Sequence, residues 1–293
     1  LIKGKGAEDV VEDEEVAEIR SQGITVWNSK GEKVEKKTHP ITIKESDVSK
    51  GEYPHFMLKE IYDQPEAVEA TLASFEKNPL PTNFFKHITR LDMVGCGTAY
   101  HAGLVARYWF SKYTGLPVDC EVASEFSCEP VASSPKSGVI VSQSGETKDS
   151  LVALEEMKKV GIQTLVVVNA PGSQMSKIAD RTIYTKAYPE IAVASTKAFT
   201  AQLAVLAKLA VSEAKNRGRI LEVDDVFFLL PEQIRKVLAL EAEIKEISKI
   251  FAKANSAFFI GRGLSYPLAR EGALKMKEVS YVHAEAYPAG ELK

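Results

Sequence analysis

Residues 138–147 read Gly138-Val139-Ile140-Val141-Ser142-Gln143-Ser144-Gly145-Glu146-Thr147. Three β-branched residues in a row, short and free of charge, mark a strand buried on both faces. The hydroxyl-rich turn that follows opens a helical stretch, which Gly161 stops. Strand, polar loop, helix is the unit of a parallel sheet, and the unit recurs on either side. Residues 91–94 lead through Gly95-Cys96-Gly97-Thr98 into a helix over about 100–113, and a second strand spans 118–122. After the 138–147 unit come a strand over 164–168, the turn Asn169-Ala170-Pro171-Gly172-Ser173, a short helix and a strand over 181–185. A long helix from Ser195 to about Asn216 is stopped at Gly218. The expected fold class is α/β: a parallel sheet flanked by helices.

The pattern then starts again. Pro231 stands where the first residue of a helix would carry a proline, and 232–255 reads as one long helix. A strand over 257–260 follows, and Ile260-Gly261-Arg262-Gly263-Leu264-Ser265-Tyr266 aligns with Val94-Gly95-Cys96-Gly97-Thr98-Ala99-Tyr100. Context matches on both sides of the glycines, so duplication is preferred over coincidence. One strand and one helix of the second copy fit before Lys293. Upstream, residues 1 to about 44 hold short alternating runs such as Gly23-Ile24-Thr25-Val26-Trp27, with Asn28-Ser29-Lys30-Gly31 as a turn. They supply too few large apolar residues for a core of their own. From Ser46 a linker and one or two helices run to Pro79 and Pro81.

Whole-chain properties narrow the function. At 293 residues the length suits about two domains at roughly 150 residues each. With 37 Lys and Arg against 40 Asp and Glu, the net charge of −3 gives no field for a polyanion, so nucleic acid is not an expected partner. Lys197 and Lys208 interrupt the longest apolar stretch, 191–212, so it reads as a buried helix and no membrane span is expected. Charges begin at Lys3 with no apolar run after it, so no signal peptide is read there. Cys96, Cys120 and Cys128 are odd in number and lack C-x-x-C spacing, which favours a reducing compartment over disulfides or zinc. The five histidines share no metal-ligand spacing, so no metal is expected.

Three places carry chemistry. Ser142 to Thr147 lies where open α/β sheets bind ligands, with free helix-start N–H groups and short hydroxyls suited to a phosphate monoester. The plain alternative is an N-cap by Thr147 with the serines forming a turn, and Glu146 opposes an anion unless its side chain points away. Gly95-Cys96-Gly97-Thr98 is a poor dinucleotide fingerprint, because Tyr100 stands where a small residue belongs and no acidic residue is clearly placed on the second strand. A sugar-phosphate contact through Thr98 is the better reading, and Cys96 fills space in the turn. Glu271, Lys275 and Glu278, at i, i+4 and i+7, share one helix face, with Leu268, Ala273, Met276 and Val279 supplying the buried side. That face is either a solvated salt-bridge row or a carboxylate and lysine that move a proton between adjacent sugar carbons. Spacing alone favours the former. His101 and His283 each follow a motif, and either suits a satisfied helical position.

Longer strings resemble a known family. Ser142 to Thr147, Glu190-Ile191-Ala192-Val193-Ala194-Ser195-Thr196-Lys197-Ala198-Phe199-Thr200 and the stretch from Glu271 to Lys293 are similar to the glutamine–fructose-6-phosphate aminotransferases. His55-Phe56-Met57-Leu58-Lys59-Glu60-Ile61 resembles the linker of that family. The resemblance implies a glutaminase domain followed by two sugar isomerase (SIS) domains, and synthesis of glucosamine 6-phosphate and glutamate from fructose 6-phosphate and glutamine. It assigns 1–44 to the glutaminase tail, 45–81 to a linker and helices, 82–220 to the first SIS domain, 221–248 to a connecting helical segment and 249–293 to the start of the second. By position, Ser142, Gln143, Ser144 and Thr147 would hold the phosphate, and Thr98, Ala99, Val193 and Ser195 would contact the sugar. Ala99 replaces the family's usual Ser, removing one hydroxyl. Glu278 would be the general base, with Lys275 and Glu271 supporting it.

The resemblance implies neither a metal nor a nucleotide cofactor, a cytoplasmic setting and a homodimer paired through SIS domains. Leu1 is not the family's nucleophilic cysteine, and Lys293 precedes its His-Gly-Pro and its imine-forming lysine. An internal piece that by itself neither hydrolyses glutamine nor completes amination is therefore expected. Two rival readings stand beside it: a non-catalytic SIS module that senses a sugar phosphate, and a glutamine-independent sugar-phosphate isomerase or deaminase. Lys275 with Glu278 argues against the first rival, and the glutaminase-like N-terminal stretch against the second.

Overall fold

The repeated strand–loop–helix pattern becomes a five-stranded parallel sheet in the computed structural model, which describes residues 7–8, 11, 14–36, 39–40, 48–126, 136–187 and 189–292. Cys128, Lys293 and the expected boundaries near residues 44 and 46 lie outside the described residues. Two units separate, Leu1–Gly51 and Glu52–Lys293.

In the first unit, β1 (Ala7–Glu8), β2 (Val16–Arg20), β3 (Gly23–Trp27), β4 (Lys33–Val34) and β5 (His39–Pro40) form two small antiparallel sheets, β2-β3-β4 and β1-β5. The expected turn at 28–31 forms because the Asn28 side chain replaces backbone partners: its Oδ1 accepts from the N–H groups of Lys30 and Glu32, each at 3.0 Å. Val16 and Ile19 stay exposed while Val26 is buried, in keeping with a piece poor in core.

The second unit opens with α1 (Phe56–Tyr62) and α2 (Gln64–Lys77), the latter with Pro65 in its first turn. Then come β6 (Arg90–Gly95), α3 (Gly97–Thr114), β7 (Val118–Val122), α4 (Ala123–Phe126), β8 (Lys136–Ser142), α5 (Lys148–Lys159), β9 (Gln163–Val168), α6 (Gln174–Ile178), β10 (Arg181–Tyr184) and α7 (Lys197–Asn216). The strands lie side by side as β7-β6-β8-β9-β10, every neighbouring pair parallel. Alternation divides them between two cores. Leu91, Met93, Val139, Val141, Leu165 and Val167 face Phe85, Phe110, Leu206 and Leu209. Val94, Ile140, Val166 and Val168 face Leu154, Met157 and Met175. Each such side chain contributes about 1.5–3 kcal/mol by leaving water. At the amino ends of the strands Lys136 pairs with Asp92 at 2.6 Å, both buried.

The remainder differs from expectation in three respects. Pro231 does not start a helix; it lies inside α8 (Asp224–Leu238), and the expected 232–255 helix is split between α8 and α9 (Glu241–Phe251). A proline inside a helix costs roughly 3 kcal/mol. Here Phe227, Leu230 and Ile234 pack, partly buried, on Val68 and Leu72 of α2 and Ala204 of α7, and that burial works against the cost. The second copy also holds more than one strand. After β11 (Ser256–Gly261) and α10 (Ser265–Ser280), β12 (His283–Pro288) pairs parallel with β11. Its small and polar residues hid it from a search for β-branched runs. Finally, α10 buries Pro267, Ala269, Glu271 and Ala273, while Leu268 and Val279 stay exposed. Small residues face inward because the strand is close: a Cβ on Gly272 would sit 2.8 Å from the Phe259 ring.

The two glycine turns match in geometry as well as in sequence. Gly97 and Gly263 both take positive φ, +52° and +57°. A Cβ on Gly95 would stand 2.9 Å from the Tyr100 nitrogen, and one on Gly261 would stand 2.7 Å from Tyr266 Cα and 2.2 Å from the Ser265 oxygen. In each copy the first glycine lets the helix start lie against the strand end. Gly95→Ala should therefore destabilise the second unit by about 1–3 kcal/mol, measured by urea unfolding. A loss below about 0.5 kcal/mol, the range of an ordinary surface change, would show that the turn has room to spare.

Candidate functional site

The connections from β6 and β8 leave in opposite directions, one to β7 and the other to β9. Their carboxyl ends therefore frame a crevice, the place where open α/β sheets bind ligands. A cavity of about 160 Å³ opens there. The β6 turn contributes Cys96, Thr98 and Ala99; the end of β8 and its loop contribute Ser142, Gln143, Ser144 and Thr147; α5 adds Ser150, and Ser195 and Gln202 come from before and within α7. Of the sequence-predicted contacts only Val193 is not brought in. Its side chain is 97% exposed at a loop tip, because the carboxylates that hold this loop grip its backbone on either side and turn residue 193 outward.

Loop 142–147 is held as a rigid polar cup. Ser142 Oγ accepts from the Gly145 N–H at 3.0 Å and Ser144 Oγ from the Glu146 N–H at 3.1 Å. A hydroxyl that accepts in this way keeps its own proton to donate. Gly145 has φ +67°, and a Cβ there would lie 2.2 Å from Ser173 Oγ, so only glycine fits. The plain N-cap alternative fails in one respect: Thr147 occupies the cap of α5 without a side-chain capping bond. The objection from Glu146 also falls. Its carboxylate turns away and accepts from the Gln174 N–H at 2.8 Å, at the start of α6.

The α10 face is not a solvated row. Glu271 is buried against α3, where Oε1 accepts from the Thr98 hydroxyl at 2.9 Å and Oε2 lies 2.7 Å from His101 Nδ1. Lys275 Nζ donates to Thr98 Oγ1 at 3.0 Å and pairs with Glu278 at 2.5 Å and Glu271 at 3.4 Å. Burial pushes the Glu271 carboxyl upward, yet the His101 hydrogen bond, the Lys275 charge and the Thr98 hydroxyl together hold it below its ordinary value. Sequence reasoning left His101 open; its position three residues after Thr98, on the same face of α3, was the available signal.

Two carboxylates that the sequence did not reveal shape the loop before α7. Glu60 accepts from the Ile191 N–H at 2.5 Å and the Ala192 N–H at 3.2 Å. Glu190 accepts from the N–H groups of Thr196 at 2.8 Å and Ala198 at 3.2 Å, and from the Ser195 hydroxyl at 2.9 Å. Burial pushes Glu190 up against those three hydrogen bonds, and the charge of Glu60 adds to the rise. Among the described residues, no three His, Cys, Asp or Glu side chains converge in a way that would hold a metal ion, and no helix is long and apolar enough to cross a membrane.

Comparison with known proteins places this architecture. Residues 84–212 and 250–293 match the model of the SIS domain. The chain belongs to the SIS domain family. Within that family it groups with the glutamine–fructose-6-phosphate aminotransferases. It is 41% identical over 301 residues to the enzyme so named from Pseudomonas aeruginosa and 43% identical over 299 residues to that from Xylella fastidiosa, in each case across 97% of this chain. It spans about half of those relatives, 49% of each. The solved C-terminal domain of glucosamine-fructose-6-phosphate aminotransferase from Francisella tularensis superposes with a TM-score of 0.76 at 41% identity, over 84% of this chain and 73% of that one.

In this SIS protein the pH response of Glu271 follows from its surroundings. A carboxyl held below its unfolded value stabilises the fold fully above the ordinary range near 4.5, and that stabilisation is lost as pH falls through the lower folded value. Glu271→Gln should cost about 1.5–3 kcal/mol at pH 7, and the gap from the parent chain should shrink as pH drops below 4.5. Urea unfolding at pH 7 and pH ~3.5 checks this. An equal gap at both pH values would mean that the charge of Glu271 is not what the cluster uses.

Proposed function

We propose that this chain carries the hexose-phosphate part of a glutamine–fructose-6-phosphate aminotransferase. The observation that carries the reading is Thr98, which lines the strand-end cavity and is hydrogen-bonded to both Glu271 and Lys275. On this reading Thr98 joins a phosphate cup and a proton-transfer cluster into one site. The phosphate of fructose 6-phosphate would lie on Ser142, Gln143, Ser144 and Thr147, gripped by hydroxyl donors and the start of α5. The carbonyl end would reach toward Thr98 and α10, with Ser195 beside it and Ala99 supplying a wall without a hydroxyl.

The chemistry then needs a proton moved between neighbouring carbons. Ammonia from glutamine replaces the C2 carbonyl oxygen, giving an imine and water. Glu278 takes a proton from C1 as the imine nitrogen gains one, giving the C1–C2 enolamine; the Glu278 proton then returns to C2 as the C1 hydroxyl releases its own, leaving an aldehyde at C1 and an amine at C2: glucosamine 6-phosphate. Lys275, 2.5 Å from Glu278, keeps the base in place, and buried Glu271 with His101 anchors Lys275 through Thr98. On this reading residues 1–44 are the tail of the glutaminase domain, 82–220 the first SIS domain and 249–293 the start of the second, with 45–81 and 221–248 connecting them. Glutamine enters through the glutaminase domain, the enzyme works in the cytoplasm, and copies pair through their SIS domains.

Two experiments test the site. In the complete enzyme carrying this chain, Glu278→Gln should slow exchange of the C1 hydrogen with water by about 10²–10⁴-fold, followed by NMR in deuterated buffer. Unchanged exchange would remove Glu278 as the base. For the cup, Ser144→Ala combined with Thr147→Val should weaken fructose 6-phosphate binding to this chain at least about tenfold by calorimetry. Unaltered affinity would place the phosphate elsewhere.

A further inference from the structure

Gln202 lies in the second turn of α7 with 1% of its surface exposed, and its Oε1 has no hydrogen-bond partner. Buried polar atoms are nearly always paired, and an orphan acceptor is costly. This one belongs to a side chain that lines the strand-end cavity, where α7 forms a wall separate from the phosphate loop and from the α3–α10 cluster. The residues one turn before and after it on α7, Ala198, Val205 and Leu206, are buried and apolar. An apolar side chain of the same length would pack there at no polar cost.

We infer that Gln202 is a further sugar-reading residue, its Oε1 accepting a hydroxyl from the middle of the bound hexose phosphate. The inference rests on the hexose-phosphate reading above. With the ester end in loop 142–147 and the carbonyl end toward Thr98 and Lys275, the hydroxyl-bearing carbons between them are what α7 is left to meet. An acceptor there is satisfied by a polyol and left bare by inorganic phosphate. It thus separates a hexose phosphate from an analogue that lacks the one hydroxyl it binds, because the unpaired acceptor then stays buried.

The test is calorimetry on the 293-residue chain, with Gln202→Met, which keeps length and removes polarity, and Gln202→Glu, which keeps an acceptor oxygen. Gln202→Met should weaken fructose 6-phosphate binding by about 5- to 100-fold and leave inorganic phosphate binding unchanged, and its melting temperature should not fall. Gln202→Glu should lose less. Of the 3-, 4- and 5-deoxy analogues of fructose 6-phosphate, one should bind the parent chain and the Met variant equally. Equal weakening of hexose phosphate and inorganic phosphate, or a lowered melting temperature with no selective loss, would overturn the inference in favour of a structural amide. If the parent chain binds fructose 6-phosphate and the Met variant binds it as well, the inference fails alone. If the parent chain does not bind it, both readings fail.

Discussion

Two neighbouring parallel strands whose continuations depart in opposite directions leave a gap that no crossover covers. The candidate site of this SIS protein hangs on that gap between β6 and β8. The gap holds its shape because the sheet beneath it is buried on both sides, with all seven residues of β8 enclosed. Register does the rest: Val94 lies opposite Ile140 and Ser142 opposite Val168, so the glycine turn of β6 and the serine loop of β8 emerge at one level. A slip of one residue would exchange Ile140 with Val139 and Val141 between the two cores and lift Ser142 out of the crevice.

The second constraint is electrostatic. Glu271 is a buried carboxylate on a helix from the second copy of the motif, and a bare charge in that position would cost several kcal/mol. The Thr98 hydroxyl and the Lys275 ammonium on one oxygen, and His101 on the other, offset that cost. Thr98 and His101 come from the first turns of α3, so satisfying the charge also fixes α10 against the crevice. The small residues of α10 make the approach possible, and the polar cluster sets its register. Lys275 consequently stands where it can reach Glu278, which remains at the surface edge of the cluster.

Much of this was legible in the sequence. Apolar and β-branched runs marked the five strands of the main sheet to within two residues, and the repeated G-x-G turn announced the second copy, whose Gly263 proves to share the positive φ of Gly97. Hydroxyls at a strand end were enough to find the cup, and spacing placed Glu271, Lys275 and Glu278 on one face. What stayed hidden depends on long-range contacts. Pro231 sits inside a helix because apolar partners 150 residues and more upstream in α2 hold it there. The inward face of α10 is small and acidic because β11 and α3 are close, which an amphipathic pattern does not express. Val193 points outward because Glu60, more than 130 residues earlier, grips the neighbouring backbone. His101 gains its role only when Glu271 arrives from 170 residues away.

Where the molecule leaves polar groups unpaired is not random. Among the described residues, the enclosed side-chain atoms without a hydrogen-bond partner belong to Ser137, Asn169, Ser173, Thr196 and Gln202. Ser137 lies near the amino end of β8, while the other four lie at or beyond the carboxyl ends of the strands, in the loops and the helix start that surround the crevice. Polar groups that cost stability when unpaired, gathered at one end of a sheet otherwise closed against water, suit the hydroxylated, charged ligand proposed for the crevice. The apolar sheet supplies the rigidity that keeps those groups from collapsing onto one another.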